Sequence, residues 1–338
     1  MKSHYNIWIA ESYSCQNDII QLLKRSNLSA HLTIFCSHSK QRPELKLCAD
    51  YFFQQPPVEY SANWLLEQCK VHSIQLLFCG KHSQFIEKFR EEFARHDIQL
   101  VTGATGVAQH ENMNNKFLFG EICEALNLPN IPATKVDHVV GLKQAIADYQ
   151  KKYSHICAKP VYGVYGSGFV QLRDEVTYFK QFQLNTQCNT QQFIEAYAQL
   201  DQPIEYLIMP FLTGQECSVD IACSHGQILA LVTRVKFKFY QQCYIEHPCH
   251  EICKILVPHF QCDGLINIQF KQDDLGVWHI LEINPRPAGG FAYTQHTGIN
   301  LIAELMAEKL QLTLQHTDFV PVVQVLPITQ SFKMDYTH

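Results

Sequence analysis

A chain of 338 residues with 46% hydrophobic content is long enough for two or three packed units. Its formal charge of -5 and pI near 6.4 argue against the broad cationic field that binding to nucleic acid or anionic lipid demands, so small molecules are the expected partners. No apolar run approaches the ~20 residues of a membrane span, and the start, Met1 to Ala10, has no long apolar core, so the expected location is the cytoplasm. The 14 cysteines follow no framework spacing and are expected as small buried hydrophobes, without disulfides.

The apolar runs Asn6 to Ala10, Leu32 to Cys36 and Ile74 to Cys79 are each followed by a plausible helix, the alternation of a parallel α/β sheet. A fourth run, Gln99 to Val101, closes a small open α/β domain at about residue 104. Glu11-Ser12-Tyr13-Ser14 stands where a dinucleotide loop would need glycines, which disfavours that ligand. The spacing of Phe117, Leu118, Ile122 and Leu126 predicts an amphipathic helix over 112–126, stopped by Leu128-Pro129-Asn130-Ile131-Pro132, and a second helix is expected over 139–151.

The strand Ile156 to Pro160 carries Lys159 and runs into Val161 to Gly168, a loop rich enough in glycine for its backbone to approach a ligand. Gln181 to Gln192 reads as a polar helix edge or loop. Strands at Tyr206 to Met209, Cys217 to Cys223 and Ile228 to Arg234, joined by Thr213-Gly214 and His225-Gly226, read as a β meander. A helix around Cys249 to Leu256 and a closing amphipathic helix, Ile299 to Gln311, frame a hairpin between them.

In that hairpin Ile266 to Phe270 pairs with Glu282-Ile283-Asn284-Pro285-Arg286 across the turn Asp273-Asp274-Leu275-Gly276. With Leu275 and Gly276 at the tip, Gln269 falls opposite Glu282. Alternation then gives one face Gln269, Glu282 and Asn284, and gives Ile268, Phe270, Leu281 and Ile283 an opposite face to bury. Three hard oxygen ligands on an apolar base suit magnesium; a hairpin with a solvated polar face is the competing reading.

Gly163 and Gly168 bracket four residues as in a P-loop, but Phe169 and Val170 follow where that motif needs Lys and Ser or Thr. Protein-kinase spacing also fails, with no His-Arg-Asp or Asp-Phe-Gly. What remains is a lysine ending one strand, a glycine loop entering the next, and metal-type ligands more than a hundred residues later. In that order, Lys159-Pro160 with Gly163 to Gly168, then Met209 to Asp220, then Gln269 with Glu282 to Arg286, the chain resembles the ATP-grasp superfamily over most of its length. The Gln269, Glu282, Asn284 set is most similar to the synthetase halves of carbamoyl phosphate synthase large chains. Arg286-Pro287-Ala288-Gly289-Gly290 is similar to amino-acid ligases and to ATP-grasp proteins of biosynthetic clusters linked to tellurium resistance.

The resemblance implies an α+β ATP-grasp fold behind an N-terminal open α/β domain. Its expected divisions are 1–104 (pre-ATP-grasp), 105–208 (with a small lid over about 155–208) and 209–338 (with the metal site). It implies ATP and Mg2+ (or Mn2+) as cofactors. Lys159 and Lys116 would neutralise phosphates, and the loop with Gly163, Gly166, Ser167 and Gly168 would cover them. Met209, Pro210, Phe211 and Leu212 would meet the adenine, and Glu216 the ribose. Arg286, and after it Arg234, would hold the transferring phosphate or a substrate carboxylate. Gly289 and Gly290 would offer N–H groups to substrate.

The implied reaction is ATP-dependent ligation of a carboxylate to an amine through an acyl phosphate, on amino-acid-like molecules, with a homodimer compatible. A bicarbonate-using carboxylase or carbamoyl-phosphate-type enzyme and a non-catalytic nucleotide-binding regulator are the alternatives. Cys243, His247, Cys249, His250, Cys253, His259 and Cys262 lie close enough together to suggest zinc. Cys249 and Cys253, one helical turn apart among apolar residues, favour core packing.

Overall fold

The computed structural model describes residues 4–164, 166–181, 186–328 and 331, and holds three sheets. The first is parallel and five-stranded, in the spatial order Tyr51–Gln54, Leu32–His38, Tyr5–Ile9, Leu76–Phe78, Gln99–Val101. Ile7 and Ile9 bury on one face against the helix Gln16–Arg25, Trp8 on the other against the helix Val58–Val71. Tyr51–Gln54, an edge strand with no buried residue, is an element the sequence reading omits.

The second sheet runs Gln187–Cys188, Val170–Leu172, Ile156–Pro160, Tyr206–Pro210, Thr134–Val136. It corrects the expected meander. Tyr206–Pro210 pairs antiparallel with Ile156–Pro160 and with Thr134–Val136, and never with the strand that follows it in sequence. Residues 211–215 instead cross to the third sheet, where Gly214 passes so close to the Gln272 carbonyl that a Cβ there would stand 2.6 Å from the oxygen. Of the glutamine-rich stretch, residues 182–185 lie outside the described set; Asn189 caps a helix at Thr190–Tyr197.

The third sheet is antiparallel, ordered Trp278–Asn284, Cys262–Gln272, Glu216–Ser224, Gln227–Lys236, Gln241–Tyr244, Val322–Val325, with Gly103–Ala104 pairing beside Cys262–Gln272. Gly103 has φ +97°, and a side chain there would meet the Pro285 carbonyl oxygen at 2.1 Å, so the segment that follows the last strand of the first sheet is seated against the metal-type motif. The helices Gln16–Arg25 and Leu301–Leu310 share one core with Ala222 and Leu265, joining the first and third sheets.

Two local expectations are also corrected. The helix predicted over 112–126 is two helices, Val107–Asn114 and Lys116–Ala125, because the Asn115 side chain accepts the Phe117 and Leu118 N–H groups and starts a new turn. The buried face of the second is Phe119 and Cys123, not the four residues chosen by spacing. In the hairpin the loop is five residues, with Asp273 Oδ1 accepting from Leu275 and Val277 N–H, and Gln272 pairs with Trp278. A bulge between Gln269 and Phe270 on one strand and Ile280 and Glu282 on the other restores the register, so Gln269 still faces Glu282. Its consequence is that Ile280 takes the core position and Leu281 turns to the cleft.

Among the described residues no helix is long and apolar enough to cross a membrane. The cysteines are all unpaired thiols, and Cys188 alone of them is not buried.

Candidate functional site

Alternation along Glu216–Ser224 and Cys262–Gln272 sends Glu216, Ser218, Asn267 and Gln269 to one face of the third sheet and Cys217, Val219, Ile268 and Phe270 to its core. On the polar face the register pairs Gln269 with Glu282 and Asn267 with Asn284. Gln269, Glu282 and Asn284 thereby share one cleft of about 450 Å³ with Arg234, Arg286, Gly289 and Gly290. The Gln269 side-chain amide donates to Asn267 Oδ1 at 3.4 Å and that of Asn284 to Glu282 Oε1 at 3.1 Å. Each amide spends one of its two N–H groups on a neighbouring residue of the site, which leaves its carbonyl oxygen available as a ligand beside the carboxylate. That donor set fits a hard divalent cation.

Lys159 reaches this carboxylate from the second sheet. Cys157 and Lys159 share the strand face that packs with Leu207 and Met209, and Lys159 Nζ donates to Glu282 Oε2 at 2.8 Å. Burial alone would raise the Glu282 carboxyl, but the charges of Lys159 and Lys116 and hydrogen bonds from Lys159 and Asn284 hold it down to about 2. Lys116 occupies the first turn of its helix, where the Asn115 cap places it, and its Nζ donates to the Gly163 carbonyl at 2.9 Å. Burial brings its ammonium down to about 8, with Glu282 opposing and Lys159 and Arg286 adding to the fall.

The glycine loop lies over these lysines. Gly163, Gly166 and Gly168 have φ of +153°, +67° and +76°, Ser167 is exposed, and Gly166 lines the cleft; Tyr165 lies outside the described residues. Beneath it a second cavity of about 220 Å³ is lined by Met209, Pro210, Phe211, Leu212, Cys157, Phe169, Lys271 and Leu281. The two cavities meet at Gly166, Glu216, Gln269 and Glu282. The Phe211 N–H is committed to the His155 carbonyl at 2.9 Å. Glu216 opens its strand half-buried, ion-paired with Lys236 and 3.7 Å from Lys271 Nζ.

At the far end Arg234 is 2% exposed. Its Nε donates to Asp220 Oδ2 at 2.5 Å and its Nη1 to Gln241 Oε1 at 2.6 Å, while Asn267 donates to the other Asp220 oxygen at 2.9 Å. Gly290 runs so close that a Cβ there would stand 2.7 Å from Arg234 Nη1. Arg286 lies over the Tyr13 ring, its guanidinium carbon 5.0 Å from the ring centroid. Gly289 approaches Ser14 in the same way, so the loop after the first strand borders the cleft.

A strip of apolar surface beside lysines, meeting a carboxylate with two amides and then two arginines, is the order in which a nucleoside triphosphate and an acidic co-substrate would lie. Comparisons agree on the scaffold. Residues 202–332 match the family described as ATP-grasp in the biosynthetic pathway with Ter operon. A biotin carboxylase from Campylobacter jejuni, solved as a β,γ-ATP complex, superposes with TM-score 0.66 at 15% identity, covering 92% of this chain and 72% of its own. The fold is ATP-grasp. An N5-carboxyaminoimidazole synthetase from Staphylococcus aureus gives 0.66 at 14% identity over 93% of this chain and 79% of that one. An L-amino acid ligase from Bacillus licheniformis gives 0.58 at 14% over 93% and 76%. No curated protein sequence matches.

Within the ATP-grasp fold most candidate residues border the two joined cavities. Lys116 lines an adjoining cavity with Lys159 and reaches the glycine loop at the Gly163 carbonyl, while Gly163, Ser167 and Gly168 line neither of the joined cavities. Sequence reasoning overlooked Lys236 and Lys271, which flank Glu216 from neighbouring strands, and Leu281, turned inward by the bulge. It also overlooked Tyr13, whose ring supports Arg286. Sequence signals existed for the lysines only once the sheet order was known, since neither is near Glu216 in the chain. For Leu281 a five-residue loop would have sufficed as a clue.

Proposed function

We propose that this protein is an ATP-dependent ligase that joins the carboxylate of an amino-acid-like molecule to an amine. The observation that carries the reading is the Lys159–Glu282 contact at 2.8 Å, which brings a phosphate-type lysine from one sheet to a metal-type carboxylate on another. In this reading the adenine occupies the cavity between Met209 to Leu212 and Leu281, with the Pro210 carbonyl accepting from its amino group and the Leu212 N–H donating to the ring. Glu216 accepts from the ribose hydroxyls, oriented by Lys236 and Lys271. Lys159 and Lys116 neutralise the phosphates as point charges, and the loop with Gly163, Gly166, Ser167 and Gly168 covers them and excludes water.

Gln269, Glu282 and Asn284 would hold magnesium, or manganese, which supplies charge neutralisation across the phosphate oxygens. With one formal ligand charge the shelf binds metal chiefly together with nucleotide. Arg286 presents its fork to the substrate carboxylate or the transferring phosphoryl group. A carboxylate oxygen attacks the terminal phosphorus, ADP leaves, and the amine displaces phosphate from the acyl phosphate, losing its proton. Gly289 and Gly290 offer backbone N–H groups to the tetrahedral oxyanion. Catalysis on this account is positioning and charge neutralisation, with no nucleophilic side chain.

Small-molecule carboxylates and amines are thus the proposed partners, and a cytoplasmic location follows from the nucleotide requirement. Similarity to a biotin carboxylase and an N5-carboxyaminoimidazole synthetase supports a second reading, with bicarbonate as the carboxylate. Phosphate release by the pure protein with ATP, magnesium and pooled amino acids, with and without bicarbonate, separates the two. Mass spectrometry of the active pool should give a single condensation product; bicarbonate-dependent release without any amine would favour the second reading. ATP binding with no product in any pool would leave a regulatory role.

A further inference from the structure

On the opposite face of the strand that begins with Glu216, three soft donors converge. Cys217 points into the core, Cys249 is the first residue of the helix Cys249–His259, and His247 lies in the turn before that helix. The two sulfurs are 3.8 Å apart, and these sulfurs and a ring nitrogen of His247 lie within 4.8 Å of one another. Two thiolates bound tetrahedrally to zinc at about 2.3 Å each must stand about 3.8 Å apart, which is the separation found. The Cys249 N–H donates to His247 Nδ1 at 3.3 Å, a long hydrogen bond that a metal ion taking that lone pair would replace.

The neighbouring donors have other engagements. His250 meets Thr233 Oγ1 at 2.8 Å, the Cys243 thiol points to the Tyr293 carbonyl at 3.7 Å, and Cys253 and Cys262 pack in the apolar core. Burial keeps both site sulfurs from bulk water, while His247, half-buried with its ring 5.2 Å from that of Trp278, leaves an approach from solvent. We propose that Cys217, Cys249 and His247 form a binding site for one zinc-class ion, with solvent supplying the fourth ligand. Thiolate and imidazole ligands together select such an ion over magnesium, so this site and the oxygen shelf across the sheet do not compete.

Bound there, the ion fastens the start of the helix to the strand whose other face bears Glu216 and Ser218. Its effect is on folding, because the three donors come from segments about thirty residues apart and meet only in the folded chain.

Cobalt(II) is the probe. The full-length chain, reduced and stripped with chelator, should take up one equivalent and show sulfur-to-cobalt charge-transfer absorption, which zinc then displaces. Zinc should raise the Tm of the wild type. Cys217→Ala and Cys249→Ala should each remove the absorption, and Cys253→Ala should leave it. Should the buried changes prevent folding, His247→Gln keeps both thiols and should weaken zinc binding at least about tenfold, the scale set by even outer-shell changes. No charge-transfer absorption in the reduced wild type, or zinc affinity unchanged in His247→Gln, overturns the proposal. A Cys217–Cys249 disulfide in a protein that takes no metal when reduced would overturn it as well.

Discussion

Two arginines border the same cleft and differ in what holds them. Arg234 is buried, with Nε on the Asp220 carboxylate and Nη1 on Gln241. Arg286 is half-buried over the Tyr13 ring, and among the described residues no carboxylate stands within ion-pair distance of it. A guanidinium spent on a buried carboxylate shapes a wall, whereas one held by stacking keeps its fork for an incoming anion. The difference places Arg234 in the architecture under Gly290 and, on the proposed function, makes Arg286 the group that would meet substrate.

The largest effect should come from the carboxylate between the lysines and these arginines. Glu282→Ala should lower ligation on the order of 10³-fold, because it removes the one charged metal-type ligand and the partner of Lys159. Steady-state phosphate release on the folded variant measures it. Full turnover would remove Glu282 from the account.

Substituting each arginine then breaks or sharpens the comparison directly. Arg286→Met should lower kcat/KM about 10²-fold while changing unfolding free energy by less than about 1 kcal/mol. Arg234→Met should do the reverse in kind, costing about 3–5 kcal/mol of stability in urea, since it strands Asp220 as a buried unpaired charge. Equal stability losses in both, or an active Arg286→Met, would erase the distinction.

A smaller effect concerns pH. Only protonated Lys116 attracts phosphate, and burial brings it down to about 8 in the free protein. Nucleotide affinity, measured calorimetrically, should be flat below that pH and fall by up to about tenfold per unit above it. In Lys116→Arg, which stays charged, the fall should disappear. In acid, Glu282 works in the opposite direction. Its carboxyl is depressed from 4.5 to about 2, so the stability it contributes is complete above pH 4.5 and is lost as pH falls toward 2. Glu282→Gln should lack that part of the acid transition seen in a wild-type stability profile.

Much of this site could be read from the chain, for identifiable reasons. The register of Gln269 against Glu282 was legible because a bulge at Leu281 offset a hairpin loop three residues longer than expected. The same bulge hid Leu281 itself, since alternation assigned it to the core. Lys116 was legible as a residue but not as a helix start, because hydrophobic spacing ran through Asn115 although its side chain is a strong cap. Tyr206–Pro210 looked like the first strand of a meander because turn residues follow it. Only pairing with Ile156–Pro160 reveals that residues 211–215 connect two sheets. Contacts such as Lys236 and Lys271 on Glu216, or Cys217 beside Cys249, depend on which strands and helices become neighbours, and no local pattern records that.

The central claim is that Gln269, Glu282 and Asn284 hold a divalent ion delivered with nucleotide beside Lys159. Manganese binding followed by electron paramagnetic resonance tests it, comparing wild type with Glu282→Gln, with and without ATP. The account predicts weak manganese binding by the wild type alone, strong binding with ATP, and loss of that enhancement in the variant. The same ATP-dependent enhancement in Glu282→Gln would contradict it.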